Sequence, residues 1–228
     1  MRPCSLGGRL PLLDPAKLSE TQRKVYDRTV ATRVPWADAA HFQSRTADGR
    51  LISPFNPVLF APEMSSCFAD LQAAEARYTP LSERVRQVVI LAVGAVWKAD
   101  YELYAHSAVA LEAGLSEAAI RSLADGGSSE DLSDEERVAQ RFVRQLTAEH
   151  HVDEPLYRAA EAAFGREGLV AMTFLAGCYQ VVCSLLNAFE IPAPAHEASS
   201  LVEYSQADRD SRRRLKASTL TRGDTDGV

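Results

Sequence analysis

The chain has 228 residues, 46% hydrophobic and 25% charged, with 12 glycines and 11 prolines. That is enough apolar material for a substantial core, and the sparse glycine and proline favour helix. The formal charge of -6, with no basic patch outside the C-terminal tail, argues against nucleic acid as a partner.

The opening run MRPCSLGGRLPLL lacks the apolar core of a secretory signal. Asp14-Pro15 can start a helix, with Ser19 as a second possible cap, and the helix continues through Thr21–Ala31. Residues 36–57 read as a long loop with an Asp48-Gly49 turn and two Xaa-Pro steps. A loop of that length in a compact domain is often a pocket wall or lid. Helix follows from Pro62 to about Arg77, with Met64, Phe68 and Leu71 on one face. Ser82 caps a helix over about Glu83–Lys98 whose run VVILAVGAVW is apolar on most sides, which places it in the middle of a bundle.

The next helix covers about Asp100–Ala113 and stops at Gly114; a short one runs from Ser116-Glu117 to Leu123. After an acidic turn, Ser133–Glu149 reads as amphipathic with Val138, Phe142 and Leu146 inward. Asp153–Phe164 ends at Gly165, and Gly168–Phe189 is long and apolar. No segment reads as a strand. The fold class is therefore all-α, a helical bundle. Its organisation reads as an N-terminal arm and helix at 1–35, a helical domain at 36–195 with entry loop 36–57, and a polar tail at 196–228 that contains the Arg212–Arg214 run.

The longest continuous apolar stretch, Val88 to Trp97, is far short of a membrane span, so the expectation is a cytoplasmic protein without membrane contact. Cys4, Cys67, Cys178 and Cys183 form no Cys-x-x-Cys pair and no zinc-spaced cluster, which points to free thiols and no metal.

WKADYELYAH, Trp97–His106, carries the most chemistry. Glu102 and His106 are four apart and share a helix face, so the carboxylate can fix the imidazole's tautomer and shift its pKa. The plain alternative is a surface pair. Arg84 and Arg86 offer bidentate contacts to a substrate carboxylate, or else structural salt bridges. Trp97 and Phe55 suit a pocket wall or the core; Tyr101 and Tyr104 suit phenolic donors or packing; Asn56 suits the pocket or a turn bond.

The run LSERVRQVVILAVGAVWKADYELYAHSAVALEAGLSEAAI resembles the core helical hairpin of the carboxymuconolactone decarboxylase / alkylhydroperoxidase D-like superfamily. Its YExxxH arrangement and Gly-Leu-Ser stop resemble a decarboxylase-like branch. DGRLISPFNPVLFAPEM resembles that branch's lead-in, and AFGREGLVAMTFLAGCYQVVCSLLNAFEIP its closing helix, with Tyr179 and Asn187 at the usual places. The resemblance spans roughly residues 10–195. Counting back from His106, the peroxidase members' two cysteines fall at Ala99 and Glu102, and their upstream glutamate at Gln87. Alanine and glutamate can neither attack a peroxide nor resolve a sulfenic acid.

The resemblance thus implies a homo-oligomer, trimer or hexamer, and a cofactor-independent acid/base enzyme acting on a small organic acid or lactone, first of all a decarboxylase. His106, Glu102 and Gln87 are the catalytic candidates. Arg86, Tyr101, Trp97, Phe55, Asn56 and Tyr179 are the substrate-binding candidates. An isomerase, cyclase or lyase of secondary metabolism using the same pair, and a non-catalytic binding protein, are the alternatives.

Overall fold

The computed structural model describes residues 6–194; the tail at 196–228, with its arginine run, and Cys4 lie outside them. Seven α-helices follow one another: α1 Glu20–Ala39, α2 Pro62–Tyr78, α3 Glu83–Trp97, α4 Asp100–Glu112, α5 Glu117–Ala124, α6 Asp134–Glu149 and α7 Glu154–Ala188. Among the described residues the only β pairing is an isolated bridge between Arg45 and Leu51.

The helix starts follow from local chemistry. Ser19 and Ser133 close full capping boxes with Gln22 and Glu136. Ser82, Ser116 and Asp153 each accept a backbone N–H in the first turn of their helices.

α3 is the central helix. Its residues Val85 and 87–94 are all buried, because it packs on α6, α7, α4 and α5, and α6 in turn packs on α7. A second cluster, Val25, Val34, Leu51 and Leu59, seats α1 on the connecting segment. The compact unit ends at Ala193.

Several elements differ from expectation. α1 runs through Pro35 to Ala39, so the loop begins four residues later than 36. Pro35 withdraws one N–H, but burial of Val34 and Ala37 on either side holds the next turn in register. The remaining connection is shaped by 3-10 turns at Ser53–Phe55 and Pro57–Phe60.

On α2 no residue is fully buried; Met64 is 74% exposed and Leu71 is exposed, and of the expected apolar trio only Phe68 turns inward. On α6 the buried stripe is Glu136, Ala139, Gln140, Val143 and Thr147 with Phe142, while Val138 and Leu146 sit at its edge.

α7 spans the two expected helices, which meet at a kink where the sequence places their boundary. Its backbone leaves helical geometry only at Gly165, where φ is 65°. By length and composition alone α7 reaches across a membrane, which Val88–Trp97 does not; its most apolar window is 44% buried, and it packs on α3 and α6. Its outer side exposes Val170, Phe174 and Val181.

Candidate active site

The site grows out of the α3–α4 hairpin. Lys98 ends α3 in the left-handed conformation, and Ala99, fully buried, is the N-cap of α4. A connection that short folds α4 straight back onto α3. Gly94 allows the close approach: a Cβ there would lie 3.1 Å from a Leu103 methyl and 3.5 Å from Glu102 Cγ. The i, i+4 pair Glu102 and His106 then faces inward, with relative exposures of 3% and 4%.

His106 is held from behind. Gln87 on α3 directs its amide nitrogen to Glu83 Oε1 at 2.6 Å, which leaves its carbonyl oxygen 2.8 Å from His106 Nδ1. A carbonyl oxygen only accepts, so Nδ1 carries the proton and Nε2 presents a lone pair. Glu83 is anchored in turn by Arg86, which also binds Glu75 of α2 at 2.7 Å.

Nε2 lies 3.2 Å from Glu102 Oε1. Oε1 is a buried oxygen without a hydrogen-bond partner among the described residues. Burial pushes Glu102 up to about 8. Burial, and then the charges of Arg86 and Arg33, push His106 down to about 3. Near neutral pH the pair is therefore a carboxylic acid beside a neutral imidazole. Oε1 is thus free to hydrogen-bond a molecule held in the cavity that Glu102 lines.

Glu102 and His106 open onto a cavity of about 290 Å³. Tyr101, Phe55 and Tyr179 also line it. The Tyr179 ring meets His106 edge-on, with centroids 4.9 Å apart. Burial raises the phenols of both tyrosines far above the usual range, so both stay protonated. The Tyr101 hydroxyl donates to the backbone oxygen of Gln43 at 2.5 Å, and that residue's N–H donates to the Tyr104 hydroxyl. The connecting segment supplies part of the wall through Phe42, Pro54 and Phe55.

Four expected site residues do not reach the cavity. Gln87, a catalytic candidate from the sequence, instead supports His106 from behind, its carbonyl oxygen accepting there. Arg86 is spent on Glu75 and Glu83 and ties α2 to α3; Arg84 likewise holds Glu136 and the Gly114 carbonyl. Trp97 caps the hairpin, its carbonyl accepting from Asn187 at 2.7 Å. Asn56, fully buried, accepts from Leu13 N–H and donates to Pro11 O, pinning the N-terminal arm.

One whole wall was not foreseen. α1 contributes Arg28, Thr29, Thr32, Arg33 and Trp36, and α2 contributes Phe68 and Gln72. The Trp36 ring centroid lies 5.8 Å from that of His106. The signal was present as a row at helical spacing, hidden by ending α1 too early.

His41, His150 and His151 are exposed, and none lines the cavity. None of the described cysteines lines it either: Cys67 is on the exposed side of α2, and Cys178 and Cys183 are free and buried on α7. Burial raises both of the latter thiols, away from the reactive thiolate.

An all-helical hairpin bundle with a buried imidazole–carboxyl pair over a small cavity is the class this chain falls in. Residues 62–145 match the model of the Carboxymuconolactone decarboxylase family. The chain is similar in fold to an uncharacterized peroxidase-related protein from Silicibacter sp. TM1040, with TM-score 0.66 and 14% identity over 87% of this chain and 97% of that one. It is also similar to the alkylhydroperoxidase AhpD core protein from Ralstonia eutropha JMP134, with TM-score 0.63 and 15% identity over 83% and 93%. A third is the debrominase Bmp8 in complex with 2,3,4-tribromopyrrole, with TM-score 0.60 and 13% identity over 87% and 97%. At these identities the likeness is one of fold. No curated protein matches the chain in sequence.

Proposed function

We propose that the protein is a cofactor-independent acid/base enzyme for a small organic acid or lactone, with decarboxylation as its reaction, and that it is not a thiol peroxidase. The carrying observation is the Glu102 carboxyl: buried, pushed up to about 8 by that burial, without a hydrogen-bond partner at Oε1 among the described residues, and open to a cavity that no described cysteine lines.

Decarboxylation breaks the bond to the carboxylate carbon, and the electron pair passes into the substrate's unsaturated system as a carbanion or dienolate. Glu102 donates its proton to the carbanionic carbon left in the substrate and becomes a carboxylate. His106, with its Nε2 lone pair 3.2 Å from Oε1, takes a proton from solvent and passes it to the Glu102 carboxylate, which restores the acid. The sum consumes one substrate carboxylate and one proton and yields one product and one carbon dioxide. The aromatic lining, Trp36, Phe42, Phe55 and Phe68, favours a flat substrate and excludes water.

The apolar outer stripe Val170, Phe174 and Val181 on α7 supports assembly with further copies of the same chain. Light scattering is then expected to give a homo-oligomer for the wild type and a smaller species for Phe174→Asp.

The test of the reaction is incubation of unsaturated acids and lactone acids in deuterated water. Carbon dioxide release with one deuterium per product is expected. Glu102→Gln and His106→Ala, folded and assembled, should each slow turnover by about 10²–10⁴-fold. Deuterium exchange without mass loss would instead mark an isomerase on the same pair. Undiminished rates in both variants would remove the proposal.

A further inference from the structure

We propose that Arg33 anchors the anionic group of the ligand, so that the cavity takes a small, flat monocarboxylate with its charged end against α1 and its body between Trp36 and Phe55. This rests on the reading of the cavity as a substrate site and adds to it the ligand's charge and orientation.

Charge is unbalanced around the cavity. Two cations line it, Arg28 and Arg33. Arg28 is ion-paired with Asp70 at 2.7 Å and reaches the Ser66 carbonyl. Arg33 has no carboxylate within ion-pairing distance among the described residues; its guanidinium meets only the neutral amide oxygen of Gln72, at 3.3 Å. Glu102 is the one acid in the lining, and it is held in its neutral form near pH 7. The cavity therefore carries one uncompensated positive charge. A half-buried guanidinium without a counter-ion is disfavoured, and its planar fork matches a carboxylate.

The placement fits the acid/base pair. Arg33 lies one helical turn before Trp36, whose ring rests against His106, and its charge is felt at both His106 and Tyr179. Arg33 and Glu102 line the same cavity, so an anion on Arg33 shares it with Glu102 Oε1. The arginine expected from sequence to do this, Arg86, is occupied by Glu75 and Glu83.

The probes are benzoate and its neutral isostere benzamide, read by calorimetry and by thermal shift on the full chain. Benzoate is expected to bind and to raise Tm, and benzamide to do neither. Arg33→Met should bind benzoate about 10- to 100-fold more weakly, with Arg33→Lys in between. Glu102→Gln and His106→Ala should retain benzoate binding. Retained binding in those two variants together with undiminished turnover would leave the anion site standing and remove the acid/base reading. Equal binding of benzoate and benzamide, no benzoate binding at millimolar concentration, or wild-type binding by Arg33→Met would overturn the proposal.

Discussion

Gln87 Oε1 faces His106 Nδ1 at 2.8 Å because Glu83 holds the amide nitrogen of the same side chain at 2.6 Å. A half-exposed carboxylate at the start of α3 thereby decides which nitrogen of a buried imidazole carries the proton. Glu83→Ala frees the amide to turn. The expected result is a mixture of imidazole tautomers by nitrogen NMR where the wild type shows Nδ1–H alone. Turnover should fall in kcat more than in KM. Stability should fall by only about 0.5–1 kcal/mol, the loss of a first-turn acid. A single Nδ1–H tautomer in the variant would show that Glu83 is not the positioning group.

Stability should depend on pH through the same pair. Glu102 rises on folding from 4.5 to about 8, so its contribution is full below pH 4.5 and is lost as pH climbs to 8. His106 falls from 6.5 to about 3, so its contribution is full above pH 6.5 and is lost as pH drops toward 3. The two slopes cancel between pH 4.5 and 6.5. The contribution of the pair is then level in that window and declines on either side by at most about 1.4 kcal/mol per pH unit. Denaturant unfolding of wild type and Glu102→Gln should differ in slope between pH 6.5 and 8. Parallel curves there would contradict a protonated Glu102.

Gly94 sets the spacing of the hairpin. Gly94→Val would drive its branches into Leu103 and Glu102, already 3.1 and 3.5 Å from a bare Cβ. A loss of about 1–3 kcal/mol is expected in urea unfolding. The α4 shift should also abolish activity in folded protein. A variant as stable and active as the wild type would mean that α4 does not depend on that approach.

The hairpin and the pair were legible because they are local. Ser82, Lys98 and the i, i+4 spacing of Glu102 and His106 lie within one stretch of chain, and an all-apolar helix implies a central one. Gln87 was legible as a neighbour but not in its direction, since that is set by Glu83 one turn away. Arg86 was misread because its partner Glu75 sits on another helix, across a turn whose geometry the sequence does not state. The far end of the α1 wall was lost because the helix was carried only through Ala31; α1 continues past Pro35, where burial on either side holds the turn. Trp36 and Arg33 went unseen with it.

The protonation state of Glu102 tests the account most directly. Infrared difference spectra between wild type and Glu102→Gln should contain a protonated carboxyl band at pH 6 to 7 that disappears with an apparent pKa of about 8. A difference spectrum showing only ionised carboxylate at pH 6 would mean that the proton is not on Glu102, and the acid proposed for the reaction would not exist.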